Sequence, residues 1–372
     1  MRKIAIIGAS YLQQPLVQRA KEMGLYTICF AWADGAVCKD VADKFYPISV
    51  IEKEQILDVC RMERIVGVCT IASDVAAPTV AYIAEQMGLV GNSYECALRA
   101  NNKYLMRQAL SVAGVPCPYY YCVERGESGE TDINGMEFPV IVKPCDRSGS
   151  LGVVKVEKGE DLLTAIKVAQ DYSFKHQAMV EQFIEGCEVS VEFISYQGKH
   201  YPLQITDKVT TEAPHFVELE HHQPADLTAA QYDEIYDLTK RALTALGITN
   251  GASHSEYRIT EEGNIYVMEI GARMGGDFIG SDLVQLSTGY DFLRGVIEVA
   301  LGMFTEPQIV EHNYSGVYFL SETTARLKPI IEQHVLPEIV KAEITDTELH
   351  SLICSGDRSG YLIYKSDKKI DL

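Results

Sequence analysis

Two glutamates set the chemistry that this sequence can perform. Ser253–Ile259 and Ile265–Ile270 read as the strands of a hairpin around Glu261-Glu262-Gly263-Asn264. If Thr260 pairs with Ile265 across that loop, Glu256 falls opposite Glu269. Directly opposite residues on one sheet face have Cβ atoms about 4.5–5.5 Å apart, and like charges there repel. A facing pair of carboxylates therefore calls for a cation. Oxygen ligands beside phosphates suit Mg²⁺, which takes one or two carboxylates and completes its shell with phosphate oxygens and water. A one-residue slip of the register would instead turn one glutamate to solvent.

Three further stretches belong with this pair. Gly271-Ala272-Arg273-Met274-Gly275-Gly276-Asp277 follows the second strand. Its Arg273 can clamp a carboxylate or a transferring phosphoryl group through a planar fork, with Gly275 and Gly276 keeping side chains clear; a surface ion pair is the alternative. Upstream, the apolar strand Val140-Ile141-Val142 ends in Lys143-Pro144 and runs into Asp146-Arg147-Ser148-Gly149-Ser150-Leu151-Gly152-Val153. Gly149 and Gly152 permit positive φ, so the loop amides can turn toward a phosphate; an ordinary hairpin turn is the plainer reading. Between them, Glu181-Gln182-Phe183-Ile184-Glu185-Gly186-Cys187-Glu188 places two acids around a glycine. Backbone groups near Glu181 to Ile184 can read an adenine edge, and Glu188 can accept from ribose hydroxyls; taken alone, an ordinary strand, turn and strand is the plainer reading.

The elements that must position these residues follow from periodicity. Strands over Lys3–Ile7, Tyr26–Phe30 and Ile65–Thr70 alternate with helices over Gln14–Met23 and near Val75–Met87, the rhythm of a parallel sheet with right-handed crossovers. The first turn, Gly8-Ala9-Ser10-Tyr11, lacks the G-x-G-x-x-G dinucleotide fingerprint. A helix over Lys103–Ala113 stops at Gly114, with Pro116 and Pro118 beyond it. Strands then dominate (Val140–Lys143, Val153–Val156, Ala178–Phe183, Cys187–Ser195, Tyr201–Thr206), interrupted by a helix over Asp161–Asp171 and followed by one over Ala229–Leu246. The last seventy or so residues read as a small α/β or β-rich cap.

The 372 residues suffice for two or three subdomains. The net charge of −19 argues against a broad nucleic-acid footprint, which needs clustered basic residues. No pair among the ten cysteines has C-x2-C spacing, and most sit in apolar runs, so they are expected to be reduced, buried hydrophobes. No signal-peptide core and no apolar run of about 20 residues is present; a cytoplasmic protein without membrane or nucleic-acid partners is expected.

Taken in order, these motifs resemble those of ATP-grasp ligases over nearly the whole chain. The family's first ATP lysine matches Lys103 in Asn101-Asn102-Lys103-Tyr104-Leu105-Met106 and its second matches Lys143. The phosphate loop matches Arg147, Ser148, Gly149, Ser150 and Gly152. The nucleotide hinge matches Glu181, Phe183, Ile184 and Glu188, and the metal glutamates match Glu256 and Glu269. The segment from Pro214 to Pro224 is similar to one in L-amino acid ligases and to a related one in purine-pathway ATP-grasp enzymes, and His254-Ser255-Glu256 resembles the ligases' metal strand.

The resemblance implies an α/β ATP-grasp fold: a Rossmann-like N-terminal domain (1–95), an ATP-grasp domain (96–302) with a lid at about 115–178, and a C-terminal cap (303–372). It implies ATP with Mg²⁺ or Mn²⁺ as cofactors. Catalytic roles fall to Arg273, Lys143 and Glu269. An amino acid site falls to Glu218, His221, Arg273 and Gly276; without the resemblance, Glu218 and His221 read as exposed loop residues. The reaction implied is activation of a carboxylate as an acyl phosphate and its capture by an amine, in a homodimer. The purine-pathway relatives are the nearer alternative, and a non-catalytic nucleotide-binding module the more distant one. One departure stands out: Gly271 occupies the position where many family members carry a metal-binding Asn.

Overall fold

The computed structural model describes residues 1–126, 136–147, 149, 151–211, 215–333 and 335–372. The N-terminal sheet contains β1 (Lys3–Ile7), β2 (Tyr26–Phe30), β3 (Lys44–Tyr46) and β4 (Gly67–Cys69), in the order β3-β2-β1-β4 with every pair parallel. Both faces are covered, so the apolar runs continue without polar alternation. Ile4 and Ile6 enter one core with Leu16 and Val17 of the helix Gln14–Glu22 and with Val296 and Ile297 of the helix Phe292–Ala300. Ala5 and Ile7 enter the other with Ile56 and Ile83. The helix Phe292–Ala300 thus comes from late in the chain to seal a face of the first sheet, which joins the two ends of the molecule.

A smaller antiparallel sheet holds β5 (Tyr120–Val123), β6 (Val140–Pro144), β7 (Val154–Val156) and β8 (Ala178–Gln182), ordered β5-β8-β6-β7 and backed by the helix Leu162–Tyr172. The third sheet has eight strands: β9 (Cys187–Tyr196), β10 (Lys199–Thr210), β11 (Glu218–Gln223), β12 (Gly251–Ile259), β13 (Ile265–Gly271), β14 (Tyr314–Leu320), β15 (Ile339–Ile344) and β16 (Gly360–Ser366). Their order is β13-β12-β9-β10-β11-β14-β16-β15. The expected cap strands therefore extend the central sheet, joined to it by the β11–β14 ladder. The helix Ala229–Leu246 packs against this sheet; it starts in a Thr228/Gln231 capping box and ends at Gly247, whose φ of 80° is the left-handed cap conformation that glycine adopts without strain.

Some expectations need correcting. The segment Glu218–Gln223 is a strand and His221 is buried, so the exposed-loop reading of Glu218 and His221 fails. The strand expected to begin at Tyr201 runs from Lys199 to Thr210. All ten cysteines are free, but Cys187 and Cys354 are exposed rather than buried. No helix among the described residues is long and apolar enough to cross a membrane.

Candidate functional site

The three sheets surround a cavity of about 430 Å³. Every sequence-predicted site residue that is described lines it, except Gly152. Ser148 and Ser150 lie outside the described residues. Gly152, with φ 72°, has a packing reason to be glycine, since a Cβ there would meet the Tyr172 ring at 2.9 Å.

The hairpin places Glu256 opposite Glu269, by a route that differs from the even register expected. Near the loop Ile259 pairs with Ile265, Arg258 with Tyr266 and Tyr257 with Val267; then the register shifts and Glu256 pairs with Glu269. Thr260 does not pair with Ile265; its N–H donates to Asn264 O instead. Met268 is the extra residue of a β-bulge, and its carbonyl accepts from Arg107 Nη2 at 2.6 Å. Bulges re-aim side chains in this way next to functional sites.

Lysines meet these carboxylates from two sides. Lys103 opens the helix Lys103–Val112, where the Asn102 side chain accepts from Leu105 N–H as N-cap. Its Nζ lies 2.8 Å from Glu269 Oε1 and 2.8 Å from Arg147 O. Lys208, on β10, is buried among Glu188 (2.7 Å), Glu256 (2.9 Å) and Glu218 (3.9 Å). Burial works against its charge, but the three carboxylates prevail and hold its pKa well above the ordinary value. Lys143 pairs with Glu181, which also takes Arg107 Nη2 at 3.0 Å. Burial dominates at Lys143 and lowers its pKa, whereas at Glu181 the two cations overcome burial and lower the carboxyl. Glu181 thus serves as the counter-ion of Lys143.

Behind the metal strand, His254 Nδ1 pairs with the fully buried Glu192, which also accepts Gly275 N–H at 3.0 Å. His254 Nε2 faces Glu256 Oε1 at 3.4 Å. Burial disfavours the imidazolium, yet the two glutamates outweigh it and raise His254 to about 9. The 271–277 loop and Glu256 are thereby tied to one buried carboxylate. A Cβ on Gly275 would fall 2.6 Å from Glu192 Oε1, so this position requires glycine.

Arg273 makes a two-pronged ion pair with Asp74 of the N-terminal domain, Nε–Oδ1 2.8 Å and Nη2–Oδ2 2.7 Å. A Cβ on Gly271 would come within 2.9 Å of Asp74 Oδ1 and 3.2 Å of Arg273 Cζ. The pair therefore crowds the space that a side chain at 271 would need. At the same end of the cavity, Ala72 (φ 54°), Phe216 (φ 50°) and Asp277 (φ 50°) all hold left-handed backbone without being glycine, and Phe278 (φ 66°) adjoins them. Such strain concentrates at ligand sites.

The donor set fits magnesium. Two facing carboxylates line the cavity, and among the described residues no group of three or more His, Cys, Asp or Glu forms a closed metal cage. An ion held by Glu256 and Glu269 would complete its shell with phosphate and water.

The residues that sequence reasoning missed (Asp74, Arg107, Glu192, Lys208, Asp277 and Arg358) mostly support or counterbalance those it found.

Comparison with known proteins agrees with this architecture. Residues 136–282 match the family model of the ATP-grasp domain. The alanine–anticapsin ligase of Bacillus subtilis is 27% identical over 237 residues, covering 56% of this chain and 50% of that one. The crystal structure of the L-amino acid ligase from Bacillus licheniformis superposes with a TM-score of 0.80 at 23% identity, over 99% of this chain and 94% of that one. The ADP complex of N5-carboxyaminoimidazole synthetase from Staphylococcus aureus gives 0.82 at 16% identity, over 99% and 94%. Residues 136–282 thus match the ATP-grasp domain, and the chain has the ATP-grasp fold. It spans 46% to 63% of the length of three curated relatives that it matches.

Proposed function

We propose that the chain is an ATP-dependent, ADP-forming carboxylate–amine ligase whose acyl donor is an amino acid. The observation that carries this reading is the set of charges that line one cavity: Lys143, Lys103, the facing Glu256 and Glu269, and Arg273. Lys103, Lys143 and the 147–152 loop hold the triphosphate, and Glu256 with Glu269 hold Mg²⁺, which neutralises charge on the phosphate oxygens. Phosphoryl transfer needs positioning and charge neutralisation rather than a protein nucleophile. A substrate carboxylate oxygen near Arg273 attacks the γ-phosphorus and ADP leaves. The amine nitrogen then attacks the acyl carbon, phosphate leaves with the acyl C–O electrons, and the nitrogen loses its proton to give an amide. In this reading residues 115–178 form the lid that closes over the nucleotide and keeps water from the acyl phosphate.

A purine-type substrate carrying a ribose phosphate is the second reading, favoured by the purine-pathway fold neighbours. A phosphate at the substrate end would need a cation free to receive it. Among the described residues there, Glu218 and Asp277 share the single guanidinium of Arg358, so an acid rather than a cation is in excess. That surplus supports a ligand that brings an ammonium group over one that brings a phosphate.

The test is phosphate release from Mg-ATP across amino acids, singly and in pairs, with Glu269→Ala as control. Release that requires an amino acid and disappears in the variant is expected. Intact ATP binding without release for any pair would overturn the reading in favour of a purine-type substrate or a nucleotide-binding module.

A further inference from the structure

The last segment of the chain sends one side chain against the two acids, Glu218 and Asp277, that line the substrate end. Arg358 precedes β16, and only 7% of its side chain is exposed. Its Nη1 lies 2.9 Å from Asp277 Oδ2, and its Nη2 lies 3.0 Å from Glu218 O and 3.1 Å from Glu218 Oε2. The guanidinium stacks 3.7 Å from the Phe319 ring centroid, and its Nε is buried without a partner among the described residues. Ser355, on the same segment, reaches Glu218 Oε2 at 3.3 Å and lines the cavity.

The charges here do not cancel. Glu218 and Asp277 share one guanidinium. Among the described residues, the one other cation within reach of Glu218 is Lys208, at 3.9 Å, and it is already held more closely by Glu188 and Glu256. His221 Nε2 is 3.7 Å from Asp277 Oδ2, and both of its ring nitrogens are buried without a hydrogen-bond partner among the described residues. Burial lowers its pKa, so it adds no compensating charge. One negative charge is left over, in a wall whose backbone is strained at Phe216, Asp277 and Phe278 to hold it in place.

Resting on the ligase reading above, we propose that Arg358 is a specificity-determining residue. By neutralising one of the two acids, it tunes the substrate end to an amino acid with a single ammonium group and disfavours donors carrying a second positive charge. The guanidinium fork matters as well as its charge, because only a planar fork reaches both carboxylates at once. The segment that leads into β16 then helps to shape the substrate site.

The experiment compares kcat/KM for neutral donors (alanine, leucine) with that for basic donors (lysine, arginine) in the wild type, Arg358→Met, Arg358→Lys and Asp277→Asn. Arg358→Met leaves both acids bare, and the basic-to-neutral ratio should rise by about tenfold, the order of one added charge contact in a partly desolvated site. Asp277→Asn should lower it, and Arg358→Lys should stay nearest the wild type. A loss of structural support alone would depress all donors together and leave the ratio fixed. If Arg358→Met does not fold, as judged by its melting curve, the sign of the change in Asp277→Asn decides. Amino-acid-dependent turnover in the wild type with an unchanged ratio in the variants would overturn this proposal and leave the ligase reading standing. A wild type that neither turns over nor binds any amino acid by calorimetry would overturn both.

Discussion

Glu256 faces Glu269 because Met268 is squeezed out of the β12–β13 ladder and its carbonyl is held by Arg107. If the pairing of Ile259 with Ile265 ran on unbroken, Met268 would sit opposite Glu256 and Glu269 would turn to the other face. The bulge thus converts a strand that would present one carboxylate into one that presents two. Arg107 also binds Glu181, the counter-ion of Lys143, so one buried guanidinium supports both the Glu256–Glu269 hairpin and Lys143.

Arg107→Met should therefore damage fold and nucleotide binding together. Removing one member of a buried ion pair costs about 3 kcal/mol or more, because the partner charge is left uncompensated. Glu181 keeps Lys143, which places the expected loss at the lower end of that range. Denaturant unfolding would measure the loss, and ATP titration should show weaker binding in the fraction that remains folded. Unchanged stability would mean that the bulge does not depend on Arg107.

Glu192→Gln tests the support behind Glu256. The buried carboxylate holds His254 and Gly275 N–H, and His254 faces Glu256. Outer partners of metal ligands typically change metal affinity or activity by about 10–100-fold when removed. The variant should need more Mg²⁺ for half-maximal phosphate release, by about tenfold, and excess Mg²⁺ should restore much of the rate. A drop in rate that no Mg²⁺ concentration recovers would place the role of Glu192 elsewhere, in the 271–277 loop.

The sequence was most readable where function depends on local pattern. Alternating apolar strands, the Lys143 strand end and the positive-φ glycines at 149 and 152 are all encoded within a few residues. The facing glutamates were inferred from an even hairpin register, and the pairing is correct although the ladder reaches it through a bulge. Periodicity does not single out the extra residue, because the apolar run Ile265-Tyr266-Val267 continues into Met268. What sequence reading missed are partners brought together over long separations. Arg273 and Asp74 lie 199 residues apart, and Arg358 reaches Glu218 across 140. Lys208 looks like any lysine on a strand until three carboxylates from β9, β11 and β12 close around it. Such contacts depend on the order of strands in the sheet, which local hydrophobicity does not specify.

Gly271→Asn would restore the side chain that many ATP-grasp proteins carry, and it should harm rather than help. The new Cβ would meet Asp74 and Arg273 at 2.9 and 3.2 Å and push their ion pair apart. If Arg273 orients the substrate carboxylate, the KM for the acyl donor should rise several-fold while the KM for ATP changes little, since the lysines and the hinge are untouched. Asp74→Asn, which removes the charge without the added bulk, should shift the same parameter. A gain in Mg²⁺ affinity with unchanged donor KM in Gly271→Asn would show that the ion pair yields and that the amide reaches the metal.

The N-terminal domain should carry an acid-sensitive contribution to stability centred on Glu63. Lys3 Nζ and Tyr46 Oη each lie 2.6 Å from its carboxylate, and Lys44 joins them. Hydrogen bonds from Lys3, Lys44 and Tyr46, in that order, outweigh burial and lower its pKa from the ordinary 4.5 to about 2. A carboxyl whose pKa is depressed on folding stabilises the folded state above its unfolded value, and that contribution fades as protonation sets in below it. The stability should therefore be fully present above pH 4.5 and be lost as pH falls from 4.5 toward 2. Glu63→Gln should lower stability at neutral pH and flatten this acid limb, as read from unfolding free energies on either side of pH 4.5. The lysines are partly exposed, so solvent and salt screen the effect, and raising the ionic strength should narrow the gap between wild type and variant. An acid limb of equal slope in both proteins would show that other carboxylates govern the transition.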